Sequence, residues 1–278
     1  LVLGENCSIQ GYYWRAREWM GTENLSYAWY DEPEMMHEMM EFVTDFTIET
    51  TRPFLEAGIK PDYVFINEDL SMKNGPLLSP KTYCEFILPQ LKRLVEFFKS
   101  NGVDWVVIDT DGNCELVIPY FMEAGVDGIW PLERASNMDP IDIRKKFGRD
   151  LRLWGGVDKR ELAKDFNAID AHLRTFQPLI AEGGFIPTVD HLVPPDVSLP
   201  VSARCMIVGG STSSGRCRMA CAANGINGGV APIWVTPNTR VMAAICGLRN
   251  LVRLRRLRRF GLSMRPPNTA LRPWQNRW

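Results

Sequence analysis

Two periodicities alternate along the first 200 residues. Short apolar runs of strand type occur at Tyr63-Val64-Phe65-Ile66, Trp105-Val106-Val107-Ile108, Gly128-Ile129-Trp130, Leu151 to Trp154 and Phe185-Ile186-Pro187. Between them, apolar residues recur at helical spacing. Met36, Met39, Met40, Val43 and Phe46 mark one helix, with Asp31 as its N-cap, Pro33 in its first turn and Glu34 three residues past the cap; the segment runs to Gly58. Ser79 caps the next and Pro80 opens it. Its predicted buried face is Tyr83, Phe86, Ile87, Leu91, Leu94, Val95 and Phe98, and Gly102 ends it. Further helices are predicted from about Cys114 to Ala124, from Asp139-Pro140 to near Gly148, and through Ile169, Leu173, Phe176 and Ile180 to Gly183-Gly184.

Strands separated by single helices imply parallel βαβ units, and short, strongly apolar strands fit a sheet covered on both faces. A doubly wound sheet and a (β/α)8 TIM barrel both meet that description. No Gly-rich phosphate loop follows a strand, which weighs against a Rossmann dinucleotide site. Five strands are clear, and Leu1-Val2-Leu3 is a candidate sixth, whereas a barrel needs eight over ~250 residues. The expected class is α/β: a (β/α)8 TIM barrel truncated at its N-terminus, with about five or six of its eight strands present.

Charge divides the chain. Residues 1–200 hold 19 Lys and Arg against 33 Asp and Glu, whereas residues 201–278 hold 13 Arg, no Lys and no acidic residue. The formal net charge of −1 is therefore a cancellation. The strand–helix alternation also stops, giving way to Gly-Gly and Pro-Pro punctuation and a basic run from Arg249 to Arg259. The expected organisation is a barrel domain over 1–198 and an Arg-rich tail over 199–278, frameshifted or disordered. A genuine arm for phosphate or another anion is the alternative, and nucleic acid is not the expected partner. No apolar run approaches the ~18–20 residues of a membrane helix, so no membrane partner is expected. The seven cysteines are scattered and odd in number, which fits a reducing cytoplasm; Cys114 reads as a buried helix residue.

Acidic residues recur just past the strands: Glu68 and Asp69, Asp109 and Asp111, Glu133, Asp158, then Asp190 with His191. In a parallel barrel these positions converge at one mouth, where active sites lie. The simpler reading of each is the N-cap of the next helix. That suits Asp158, because a helix can begin at Lys159, and suits Asp69 poorly; Asn113 is a better-placed cap than Asp109 or Asp111. His37 and His172 lie within helices among charged neighbours and read as surface residues. Asp109, Asp111 and His191 could together bind a divalent ion such as zinc, manganese or iron, or work without metal as acid–base groups. Spacing leaves both open.

The strand-end motifs resemble the uroporphyrinogen decarboxylase (URO-D) superfamily. They are Met20-Gly21 with Tyr30-Asp31-Glu32-Pro33, Ile66-Asn67-Glu68-Asp69 with Asn74-Gly75-Pro76 and Ser79-Pro80, then Asp111-Gly112-Asn113. Ala124-Gly125-Val126-Asp127-Gly128 through Pro131-Leu132-Glu133, Gly155-Gly156-Val157-Asp158, and Gly183-Gly184-Phe185-Ile186 through Asp190-His191 to Pro194-Pro195-Asp196 complete the set. The resemblance implies a (β/α)8 barrel with its site at the C-terminal mouth, and first units that precede Leu1. Decarboxylases of this superfamily act on uroporphyrinogen without a cofactor, and His191 falls where they carry a histidine. Zinc-dependent members move methyl groups between a corrinoid protein and a thiol. Their His-x-Cys pattern and later Cys correspond to Asp109, Asp111 and His191, which keeps ligand-capable groups but removes both thiolates.

The resemblance thus implies a methyltransferase-like member of corrinoid or tetrapyrrole metabolism. Asp109, Asp111 and His191 are its catalytic residues or metal ligands, and Glu68, Asp69, Glu133 and Asp190 bind substrate. Zinc or another divalent metal and a corrinoid supplied by a partner protein would then be the cofactors. The alternatives are cofactor-free uroporphyrinogen decarboxylation, with a tetrapyrrole substrate, and a non-catalytic fragment or binding protein. A homodimer is left open.

Overall fold

Each of the five apolar runs forms a strand, and one further strand precedes them. The computed structural model describes residues 6–193 and Val197. The strand expected at Leu1-Val2-Leu3 and the tail expected over 199–278 lie outside the described residues. Ser71–Met72 and Gly75–Pro76 form a small antiparallel pair that stands apart; the strands of the main sheet are β1 (Asn6–Gln10), β2 (Tyr63–Asn67), β3 (Trp105–Asp109), β4 (Gly128–Trp130), β5 (Arg152–Val157) and β6 (Phe185–Val189). All neighbours pair in parallel, and their order in space is their order in sequence. A doubly wound sheet reverses its order at a switch point, and a barrel does not. The topology is that of six consecutive barrel strands. Right-handed crossovers then place the connecting helices on one face. Strand β1 escapes a pattern search because its sequence, Asn-Cys-Ser-Ile-Gln, has no apolar run.

Three helices lie between β1 and β2: α1 (Tyr12–Met20), α2 (Thr22–Asp31) and α3 (Pro33–Glu56). Asp31 is the last residue of α2 and caps nothing; α3 begins at Pro33 after Glu32, without a side-chain cap. The buried stripe of α3 is Met36, Met40, Val43, Thr44, Thr47 and Leu55. Phe46 is exposed, because its position is turned about 100° from the centre of that stripe. Helix α4 is continuous through Pro80–Thr82, Tyr83–Ile87 and Leu88–Ser100, and Ser79 caps it by accepting from the Thr82 N–H at 3.0 Å. Its middle segment is π-helical just before Pro89, which has no N–H to return to Glu85. A 3₁₀ turn (Glu115–Val117) leads into α5 (Ile118–Glu123), and Asp139 caps α6 (Pro140–Phe147) as expected. After β5 come α7 (Lys159–Leu162), α8 (Phe166–Thr175) and α9 (Gln177–Glu182). The single helix expected through Ile169 and Ile180 is broken at Phe176, where Pro178 opens the new helix.

Strand alternation sorts the core into two layers. Val64, Ile66, Val106, Ile108, Ile129 and Leu153 join the main core with helical residues such as Leu91, Val95, Phe98 and Phe121. Tyr63, Phe65, Val107 and Trp154 form a second cluster with Trp105, Trp130 and Ile186 on the opposite face of the sheet. At the N-terminal end of the sheet, buried Arg144 donates from Nη1 to the carbonyls of Gly148 (2.6 Å) and Leu151 (2.9 Å). Its Nη2 donates to those of Gly183 (3.2 Å) and Gly184 (2.8 Å). One guanidinium thus joins the chain entering β5 to the chain entering β6. Arg144→Met is expected to lower stability by about 2–4 kcal/mol, read as a fall in urea midpoint, because four carbonyls lose a charged donor together. A midpoint unchanged from the parent chain contradicts this role.

Candidate active site

Strand register levels the C-terminal ends of the sheet. Asn67 pairs with Asp109, Asp109 with Trp130, and Val157 with Val189. The residues that follow therefore emerge along one rim. Asp109 shares the parity of Trp105 and Val107, so its carboxyl belongs to the inner face at that rim. Burial, together with the neighbouring carboxylates of Asp111 and Asp69, pushes its pKa up to about 8. Two residues on, Asp111 meets His191: Nε2 of His191 lies 3.2 Å from Oδ2 of Asp111, with 30% of the His and 38% of the Asp side chain exposed. Burial raises the Asp111 pKa, and His191 opposes that shift.

Glu133 holds this pair in place from the next loop. Its Oε2 accepts the Gly112 N–H at 3.0 Å, and its Oε1 lies 3.2 Å from Nζ of Lys159. Gly112 has φ +74, and a Cβ there would lie 2.6 Å from the Ser71 carbonyl oxygen, so the turn after Asp111 requires glycine. Asn113 completes the turn by accepting from the Glu115 N–H at 3.1 Å, but it stands one residue before the N-cap, Cys114, and so is not itself the cap expected from sequence. Asp190 is fully buried. Its two oxygens accept the backbone N–H groups of Arg134 (2.9 Å) and Lys159 (3.0 Å).

On the other side of the rim, Asp69 (φ +39) binds Arg17 of α1. Arg17 Nη2 is 2.7 Å from Asp69 Oδ2, Nη1 donates to the Asp69 carbonyl, and the guanidinium lies 4.9 Å from the Trp14 ring centroid. Glu68 is fully buried and accepts the Tyr12 and Tyr13 N–H groups at 3.1 and 2.9 Å, anchoring the N-terminus of α1. Burial lifts its pKa to about 7 in spite of those two bonds.

The structure thus brings Asp109, Asp111 and His191 to one rim with Asp69 and Glu133. It places Glu68 and Asp190, read from sequence as substrate-binding, beneath that rim as ties between backbone segments. Asp158 is a cap: it accepts the Arg160 N–H at 2.8 Å, and the Arg160 side chain outweighs burial to hold its pKa below the usual carboxylate range. His172 is not a surface residue. Its Nε2 accepts the Asp158 N–H at 3.0 Å, its ring meets Phe176 edge-on, and burial lowers its pKa. His37 is exposed, as expected. Cys114 is buried, which pushes its thiol to about 12. Sequence reading missed two rim cations. In the sequence Lys159 marks only the start of a helix, and Arg17 lies on a helix without a clear apolar stripe.

The metal expectation fits poorly. Among the described residues no three His, Cys, Asp or Glu side chains are grouped so as to hold an ion, although Asp111 and His191 are adjacent. No helix among the described residues is long and apolar enough to cross a membrane.

Fold and rim together define a parallel α/β barrel protein with a carboxylate–imidazole site at the C-terminal ends of its strands. The chain belongs to the uroporphyrinogen decarboxylase (URO-D) family, whose sequence profile matches residues 14–207. It is 27% identical over 169 residues to the uroporphyrinogen decarboxylase of Myxococcus xanthus, covering 60% of this chain and 45% of that protein. It is 23% identical over 158 residues to the methylated-thiol--coenzyme M methyltransferase of Methanosarcina mazei, covering 56% and 39%. A solved methyltransferase from Methanosarcina mazei shares the fold, with TM-score 0.53 and 17% identity over 69% of this chain and 55% of its own. The chain spans about half the length of the curated relatives it matches.

Two raised carboxyl pKa values set a pH dependence. Glu68 rises from an ordinary 4.5 to about 7, and Asp109 from 3.8 to about 8. Between those values the folded chain holds protons that the unfolded chain has released, so the stability these two groups contribute is fully present below the ordinary values and is lost as pH rises to about 8. The urea midpoint is expected to be lower at pH 8 than at pH 5.5, and Asp109→Asn should raise it at pH 8 while reducing the slope. A slope identical in the variant excludes Asp109 as a source.

Proposed function

We propose that this chain is the site-bearing part of a methyl-transferring member of the family, working by acid–base chemistry at the barrel rim. The observation that carries the reading is the 3.2 Å contact of His191 with Asp111, beside the proton-retaining Asp109. When a methyl group leaves a heteroatom, the bonding pair stays on that atom, which then takes up a proton. A positioned acid lowers that barrier. Asp109 holds such a proton near neutral pH, and His191, oriented by Asp111, can relay its replacement. A corrinoid carried by a partner protein would supply the methyl acceptor.

Charge at the rim supports this reading over a polycarboxylate substrate. Arg17 is paired with Asp69, Lys159 with Glu133, Arg160 with Asp158 and Arg134 with Asp139. An added carboxylate therefore competes with one already bound. Decarboxylation of uroporphyrinogen is the second reading, supported by relatives of that name and by the proton on Asp109. There a carboxylate would hold the pyrrole N–H groups and the acid would protonate the carbanion left by carbon dioxide.

The test supplies the full chain with reduced cobalamin and, in turn, a methyl thioether, a methyl aryl ether and a methylated amine. Methylcobalamin formation is followed by absorbance, and uroporphyrinogen is assayed in parallel. Methyl transfer that falls by about 10²–10³ in kcat/KM with Asp111→Asn or His191→Ala is the expected result. Turnover of uroporphyrinogen alone, or no methyl transfer from any donor, overturns the proposal.

A further inference from the structure

Helix α3 presents a two-striped outer surface that the rim chemistry does not use. Phe42 and Phe46 are 57% and 52% exposed and stack at 5.9 Å between centroids; Trp19 of α1, 51% exposed, lies 6.3 Å from Phe42. Half-exposed rings of this size leave on the order of 300 Å² of contiguous apolar surface, the scale at which monomer patches are often functional. Glu34, Glu38, Glu41, Asp45 and Glu49 recur at three- and four-residue spacing, which makes them a parallel stripe one ring-width round the helix. Asp45 and Glu49 are paired with Arg93 and Arg52, but Glu34, Glu38 and Glu41 have no ion pair among the described residues. The buried stripe lies on the opposite side and Asp45 ties α3 to α4 through Arg93, so Glu34, Glu38, Glu41, Phe42 and Phe46 stand outside the contacts that bury α3.

We propose that this face docks a basic amphipathic helix of a partner protein. Its apolar residues would cover Trp19, Phe42 and Phe46 while its lysines or arginines meet Glu34, Glu38 and Glu41. Charge selects this occupant. A second copy packed antiparallel on this face would bring the same acids together, which repels, and one packed parallel would leave them without a cation. An acidic or purely apolar partner leaves the glutamates unanswered. The stripe from Glu34 to Glu49 is about 22 Å long, matching a partner helix of about four turns. The exposed aromatics are the anchors and the glutamates set direction and salt dependence.

The experiment uses the full chain and a fluorescein-labelled helical peptide of leucine and lysine, about 18 residues long, read by anisotropy at physiological ionic strength. A second peptide of the same composition carries D-leucines that break the helix. Binding in the micromolar range is expected for the first. It should weaken at least about tenfold for the second, for Phe42→Ser/Phe46→Ser and for Glu34→Lys/Glu38→Lys. All four substituted side chains face solvent, and circular dichroism checks that the helices remain. Equal affinity across peptides and variants means unspecific charge attraction and overturns the proposal. So does a failure of the leucine–lysine helix to bind, or sedimentation showing that Phe42 and Phe46 mediate self-association.

Discussion

Asp190 gives up all contact with solvent to accept two backbone N–H groups, and the rim is organised around that exchange. A buried carboxylate without partners is strongly unfavourable, so the loops after β4 and β5 must bring Arg134 and Lys159 to the end of β6. Each further contact follows from that arrangement. Lys159, fixed by its own N–H, extends Nζ to Glu133; Glu133 holds the Gly112 N–H; Gly112 turns the chain after Asp111; and Asp111 faces His191, the residue next to Asp190. Three loops and four strand ends thus share one polar circuit.

The same logic separates the acids of the rim into two groups. Glu68 and Asp190 are buried and bound to backbone, and they place α1 and the loops around them. Asp109, Asp111 and Asp69 keep access to the open side, and burial still raises Asp109 and Asp111. The charges of Asp69 and Asp111 add to the rise at Asp109, those of Asp69 and Glu133 to the rise at Asp111, and the paired cations Arg17 and Lys159 keep the cluster from being a simple repulsive patch. Proton-holding capacity at this rim is a property of the cluster, because no single residue has an environment independent of the others.

Much of the fold was legible in the sequence. The runs that open at Tyr63, Trp105, Gly128, Leu151 and Phe185 form strands, the fourth from Arg152, and Ser79 and Asp139 cap the helices predicted for them. The family motifs lie where the chain turns at strand ends, which is why Asp111-Gly112-Asn113 could be recognised before its geometry was known. Failures had local causes. Strand β1 and helix α1 lack clean periodicity, Pro178 divides one apparent helix into two, and Phe46 follows the apolar count but not the buried face. Arg17 was invisible for the same reason as α1, and His172 looked like a surface residue because its partner, the Asp158 backbone N–H, is far from it in space until α8 packs back on β5.

Sequence by itself determined the periodicity of five strands and most helices, the acid that ends or follows each of those five strands, and the family. Those are local patterns, set by side-chain spacing and turn chemistry along a few residues. Only the tertiary structure decided which of the rim acids face the open side and which lie beneath it. Glu68 and Asp109 look equivalent in the chain, each an acid at a strand end. One accepts the backbone of a helix and the other stands beside two more carboxylates on the inner face. Burial and charge at a point depend on everything that surrounds it, and those neighbours are brought together only when the sheet forms.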